Sequence, residues 1–132
     1  MGDKCEVNWC KPTARELLKL AKKDRAGIAR LQAHIGHVED FGWDISTKSE
    51  LIKVLKEDTR IGEIRDMGKG GYRAFFYWEE TETSHEIHIT AIPKKNTLTP
   101  KRVNEFIKAA ENRRQLDAAG GNTDEDTEED DQ

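Results

Sequence analysis

Arg65 and Arg73 are separated by seven residues in the segment IRDMGKGGYRAFFYW, and Lys94 and Lys95 follow the run HEIHITAIP. Arginine holds a phosphate through two parallel N–H donors, and lysine supplies a compact point charge. Four such groups around one point would suit a polyanion. A cluster of this kind binds an RNA or DNA backbone without reading bases. It can also assist RNA cleavage by the RNA's own 2′-hydroxyl. That reaction needs the 2′-oxygen deprotonated, the phosphate charge neutralised and the leaving 5′-oxygen protonated. Cations serve the second need, and a lysine, histidine or tyrosine serves the others. Arg73 and Lys95 also read as solvated charges at strand ends, and composition alone favours that plainer account.

Other chemistries find little support. GKGG lacks the following helix and hydroxyl residue of a phosphate-binding loop. His34 and His37, near Glu39 and Asp40, are too few convergent ligands for a metal site. Cys5 and Cys10 read as two free thiols rather than a disulfide framework. No metal or cofactor is expected. No serine–histidine–acid arrangement marks a nucleophile elbow.

The 132 residues suffice for one domain with a modest core, and no apolar run is long enough to span a bilayer. The formal net charge of -4 conceals an asymmetry. Residues 117–132 hold eight acids and no bases, whereas residues 1–116 carry 22 basic and 18 acidic groups. The expected organisation is a single domain over 1–116 and a disordered acidic tail over 117–132. That tail reads as solubilising, or as a segment that folds back over the basic face.

The elements that must position the basic residues follow from periodicity. EVNWC is a short first strand. Thr13 with Glu16 resembles a capping box opening a helix, and Asp24 can restart it. Ile28, Leu31, Ile35 and Val38 form one apolar stripe on a helical hairpin or one long bent helix. Phe41-Gly42-Trp43 closes that unit, and Leu51, Val54 and Leu55 predict a second helix over 49–57. Then the period changes to two. IGEIRDM, YRAFFYW and HEIHITAI predict three strands of an antiparallel meander, with KGG and EETETS as turns and the first strand as an added edge. Ile87, Ile89 and Ala91 should share one face, and His88, Thr90 and Ile92 the other. Thr99 and Pro100 open the last helix, whose apolar face is Val103, Phe106, Ile107 and Ala110. The fold class is α+β: N-terminal helices packed on a small twisted antiparallel sheet, then a C-terminal helix. Tyr72, Tyr77 or Trp78 could offer an aromatic face to an unstacked base, although core positions are their ordinary fate.

Five motifs in order resemble the RelE/HigB-like toxin superfamily, and more narrowly its phage-derived branch. They are Glu63-Ile64-Arg65; Gly71-Tyr72-Arg73 with Phe76 or Tyr77; the strand Ile87 to Ile92; Lys94-Lys95; and Thr99-Pro100 leading into a helix with Ala109, Ala110 and Arg113. The likeness covers roughly residues 6–114. It implies a RelE/ParE-like fold and a cytoplasmic toxin of a type II toxin–antitoxin system. It also implies metal-independent cleavage of mRNA on the ribosome, and a cognate antitoxin with a helix-turn-helix domain. Arg65, Arg73, Lys94 and Lys95 then form the catalytic cluster. Lys69, Tyr72, Tyr77, Lys101 and Arg102 are RNA-binding candidates, and His88 is a candidate acid–base group. The chain departs from the family where Thr90 and Ile92 replace a frequent histidine and phenylalanine, where Pro93 precedes the lysines, and where no tyrosine or histidine follows Arg113. Those departures keep two alternatives in view: a ParE-like inhibitor of DNA gyrase, and a non-catalytic RNA-binding relic.

Overall fold

The structure is a computed structural model, and it describes residues 3–66 and 71–120. The elements are β1 (Lys4–Trp9), α1 (Lys11–Lys23), α2 (Arg25–Lys48), β2 (Ile52–Lys56), β3 (Ile61–Arg65), β4 (Arg73–Glu80), β5 (Ser84–Ala91) and α3 (Pro100–Ala118), with a 3-10 turn at Lys95–Thr97. The sheet order is β1-β5-β4-β3-β2. β2 to β5 form an antiparallel meander, and β1 joins its β5 edge in parallel. This is the expected α+β architecture with one more strand, and the sheet is mixed rather than antiparallel as expected. Among the described residues no helix is long and apolar enough to cross a membrane.

The sheet is covered on both faces. Ile28, Leu31, Ile35 and Val38 of α2 meet Ile64, Ala74, Phe76, Trp78, Ile87 and Ile89 in the main core. Ile107 and Ala110 of α3 meet Ile61 and Tyr77 on the opposite face, where Phe106 also stacks on Phe75 at 5.1 Å. A strand buried on both sides carries apolar residues at successive positions, which is why FFYW reads as one aromatic run. Ile92 joins Ile87 and Ile89 in the main core, not the face of His88. The pairing of β4 with β5 shifts between Phe75 and Phe76, and Ile92 lies just beyond the strand, so simple alternation fails there.

The helices begin where side chains can serve their free N–H groups. Asp24 caps α2, accepting from the Gly27 N–H at 3.0 Å. Thr99 caps α3, accepting from the Arg102 N–H at 3.2 Å, with Pro100 as the first helical residue. The capping box at Thr13 does not form. Cys10 is the residue before α1, Pro12 lies in the first turn, and Thr13 is buried. α2 breaks at Gly42, whose φ of 85° and ψ of 176° suit glycine alone. A β-carbon there would lie 2.5 Å from the Asp3 carboxylate. Asp3 serves the restarted helix instead, accepting from the Asp44 N–H at 2.8 Å.

The helix expected over 49–57 is a strand, β2. Glu50 takes a positive φ of 66°, which ends the preceding helix. The β-branched Ile52 and Val54 then pair with Ile64 and Gly62. At the other end α3 runs on to Ala118, so Asp117 and Ala118 are helical. Residues 121–132 lie outside the described residues.

Candidate nucleic-acid interface

The meander decides which basic groups meet. In the β3–β4 register Arg65 lies directly opposite Arg73, and Glu63 opposite Phe75. Side chains two apart on a strand share a face, so Glu63, Arg65, Arg73 and Phe75 all lie on the α3 side. Arg73 is nearly enclosed, at 7% exposure. Its guanidinium stands 3.5 Å from the Glu63 carboxylate, and that of Arg65 stands 4.0 Å from the same oxygen. Arg65 also approaches the exposed Glu50 at 3.7 Å. An exposed partner adds little. Two guanidinium groups thus share one buried carboxylate, and the Nε of each is buried with no hydrogen-bond partner. Burial lowers the Arg73 pKa, Glu63 opposes that, and the charge of Arg65 lowers it further. Arginine stays protonated regardless.

α3 starts at the same end. Phe106 stacks on Phe75, and the Arg102 guanidinium lies over the Phe106 ring at 5.2 Å. Arg102 also donates to the Thr97 carbonyl at 2.9 Å. Lys101 is exposed beside it.

The lysine pair joins the edge through its backbone and divides through its side chains. The Arg73 N–H donates to Pro93 O at 2.9 Å, and the Lys95 N–H to Gly71 O at 2.8 Å. Pro93 lacks an N–H but keeps the acceptor that β4 needs. Lys94 pairs with Tyr72 across an antiparallel bridge. Its ammonium lies over the Tyr72 ring, 3.7 Å from Asp24 on the helical side of the sheet. Lys95 is exposed. Lys95, not Lys94, therefore remains available beside the arginines. Lys69 lies outside the described residues.

The aromatic candidates are corrected. Tyr72 is 1% exposed, its hydroxyl donating to Asp24 at 2.9 Å, and burial with that bond pushes its pKa up to about 12. Tyr77 is 2% exposed, stacked on His88 and donating to Asp117. Trp78 is equally buried. None presents a face on which a base could stack. His88 is corrected as well. It sits opposite Tyr77, four residues from Arg73, or about 13 Å along the strand. Burial lowers its pKa, with Glu86 and Asp117 opposing. It cannot exchange protons with a phosphate held at Arg73.

Sequence reasoning missed Asp66, which is fully buried. It accepts from Arg30 Nε at 3.2 Å and lies 3.4 Å from His34 Nε2, both on α2. Its N–H donates to Tyr72 O at 3.2 Å. A β-carbon on Gly71 would come within 2.6 Å of its carboxylate, so the glycine before Tyr72-Arg73 answers to a close approach. The contact spans 36 residues, beyond any local periodicity. Among the described residues no group of three or more His, Cys, Asp or Glu side chains could hold a metal ion.

The chain matches no protein-family model, and no curated protein or solved structure is significantly similar to it.

Proposed function

We propose that the chain is the toxin of a type II toxin–antitoxin pair, of the RelE/HigB-like kind its motifs resemble. In this reading it is cytoplasmic, holds RNA backbone phosphate at Arg65 and Arg73, and promotes mRNA cleavage on the ribosome without a metal. The carrying observation is the shared carboxylate: two facing guanidinium groups, one buried counter-charge and two unpartnered Nε donors. Unpaired buried donors are costly, and a phosphate would satisfy them once the arginine side chains turn outward to meet it. Lys95, Lys101 and Arg102 border the pair as further phosphate contacts.

In cleavage the 2′-oxygen attacks the adjacent phosphorus and the bond to the 5′-oxygen breaks. One proton leaves the 2′-oxygen and one reaches the 5′-oxygen. The arginines supply charge stabilisation in a site partly shielded from water, and the ribosome supplies alignment. A cognate antitoxin with a helix-turn-helix domain would cover exposed apolar surface such as Phe41 and Ile45 of α2. One observation favours a second reading, RNA binding without cleavage: the distance of His88 from the pair leaves proton transfer without a histidine there.

Pulse labelling after induced expression in a bacterial host, following protein and DNA synthesis separately, tests the proposal. Immediate loss of protein synthesis with DNA synthesis continuing is the expected result. Early loss of DNA synthesis would move the target to gyrase, and RNA binding with no growth effect would favour the relic. Arg73→Lys keeps the charge and the pairing with Glu63 but removes the planar fork. It should abolish arrest with little change in thermal unfolding, and a folded, fully toxic variant would overturn the assignment.

A further inference from the structure

Between Lys11 and Arg25 the chain carries six basic residues against two acids, Glu16 and Asp24. Asp24 is engaged with the Gly27 N–H, the Tyr72 hydroxyl and Lys94. Lys19, Lys22, Lys23 and Arg25 are exposed, and no described carboxylate pairs with them. Leu18 stands among them at 66% exposure. Shallow grooves border α1: one of about 380 Å³ along Pro12, Glu16, Lys19 and Lys23, another of about 540 Å³ along Leu18, Lys22 and Arg25. Lys19, Lys22, Lys23 and Arg25 thus make a basic strip without a counter-charge among the described residues.

The chain holds that counter-charge itself. Residues 121–132 contain seven acids and no base. We propose that this segment docks along the outer face of α1 in the same chain, an acidic strip laid on a basic one. Where α3 ends makes this possible. Asp117 accepts from Tyr77, whose partner across the sheet is His88, and the carbonyl of the next residue, Ile89, accepts from the N–H of Cys10, the residue that precedes α1, so the last described turn of α3 lies near the start of α1. Twelve extended residues reach up to about 40 Å, and the thirteen residues of α1 rise only about 20 Å. The competing route runs back along α3 for about 26 Å to Lys101. There Lys101, Arg102 and Lys108 are interrupted by Glu105 and Glu111, which repel an acidic strand. Each exposed pair is weak alone and screened by salt. Tethering raises the effective concentration of the acids, so many weak contacts hold together at low salt and release at high salt. Any other polyanion approaching α1 must displace the segment. The inference stands independently of the RNA reading.

Carbodiimide coupling joins a lysine amine to a carboxylate in direct contact. Applied to the full chain at low salt and mapped by mass spectrometry, it should link residues 124–131 to Lys19, Lys22 and Lys23 within one chain. These links should exceed those to Lys95, Lys101 and Lys108 several-fold and fade at high salt. In the full chain carrying Lys19→Glu and Lys22→Glu, both at exposed positions, the link to Lys23 should fall to the high-salt level. Links mainly to Lys95, Lys101 or Lys108, links mainly between chains, or a pattern unchanged by salt or by the double substitution would each overturn the proposal.

Discussion

The sheet face under α3 has two ends, and they treat charge differently. At the far end Arg113 and Arg114 each have an anion of their own. Arg114 meets Glu79 at 3.0 Å and donates to Thr59 O at 3.1 Å. Arg113 meets Asp117 at 3.1 Å, and Asp117 also accepts from Tyr77. The Thr59 hydroxyl donates to Glu111 at 2.7 Å. At the near end Arg65 and Arg73 share Glu63, and Arg65 has only the exposed Glu50 as a further ion-pair partner. One strand pair and one helix build both ends, so the contrast does not come from the fold. The matched end fastens α3 to the sheet. The near end keeps a surplus of positive charge in a nearly closed site, where an incoming anion meets little competition from water.

The sharpest way to break this contrast is to remove Glu63. Glu63→Gln keeps the shape but leaves the buried Arg73 guanidinium without its carboxylate and Arg65 with only the exposed Glu50. Stability should fall by about 3 kcal/mol, measured by urea unfolding. Adding Arg73→Met to that variant should restore part of the loss, because the second change removes the stranded charge. A neutral Glu63→Gln would mean that water already satisfies the arginines and that the near end holds no built-in surplus.

The sequence makes the frame of this contrast legible and hides its polarity. The stripe Ile28, Leu31, Ile35 and Val38, the Thr99-Pro100 start of α3 and the meander from Ile61 to Ala91 all follow local rules of period and capping. β2 fails those rules because Leu51, Val54 and Leu55 fit a helical stripe equally well. Only pairing with Gly62 and Ile64 decides the matter. The four basic candidates were also visible, but their arrangement depends on register. Arg65 opposite Arg73 and Lys94 turned toward Asp24 are consequences of pairing across the sheet. Tyr72 and Tyr77 belong to a strand covered on both sides, where alternation no longer separates core from surface. Asp66 depends on α2, far away in sequence.

At the matched end the effect of one substitution should be smaller. Tyr77→Phe deletes the donor to Asp117 and leaves Asp117 with Arg113. The expected loss is about 1 kcal/mol, the ordinary net worth of a hydrogen bond, read from the same unfolding experiment. A loss as large as that of Glu63→Gln would show that Asp117 depends on Tyr77 as Arg73 depends on Glu63, and the two ends would no longer differ in kind.

The smallest effect is a pH dependence. Burial beneath α3 holds the His88 pKa below its ordinary 6.5, outweighing Glu86, Asp117 and Glu79, while its ring lies against Tyr77. The unfolded chain therefore binds a proton at His88 more readily than the folded one. The stability tied to this group is fully present above about pH 6.5 and declines as pH falls through the lower folded value. His88→Gln removes the titration. On going from about pH 7 to about pH 5, the wild-type protein should lose more stability than the variant, and comparing the two cancels the other histidines common to both. Equal losses would mean that His88 is hydrated and free to charge. The matched end would then admit water as the near end admits an anion, and the surplus at Arg65 and Arg73 would be the only difference between them.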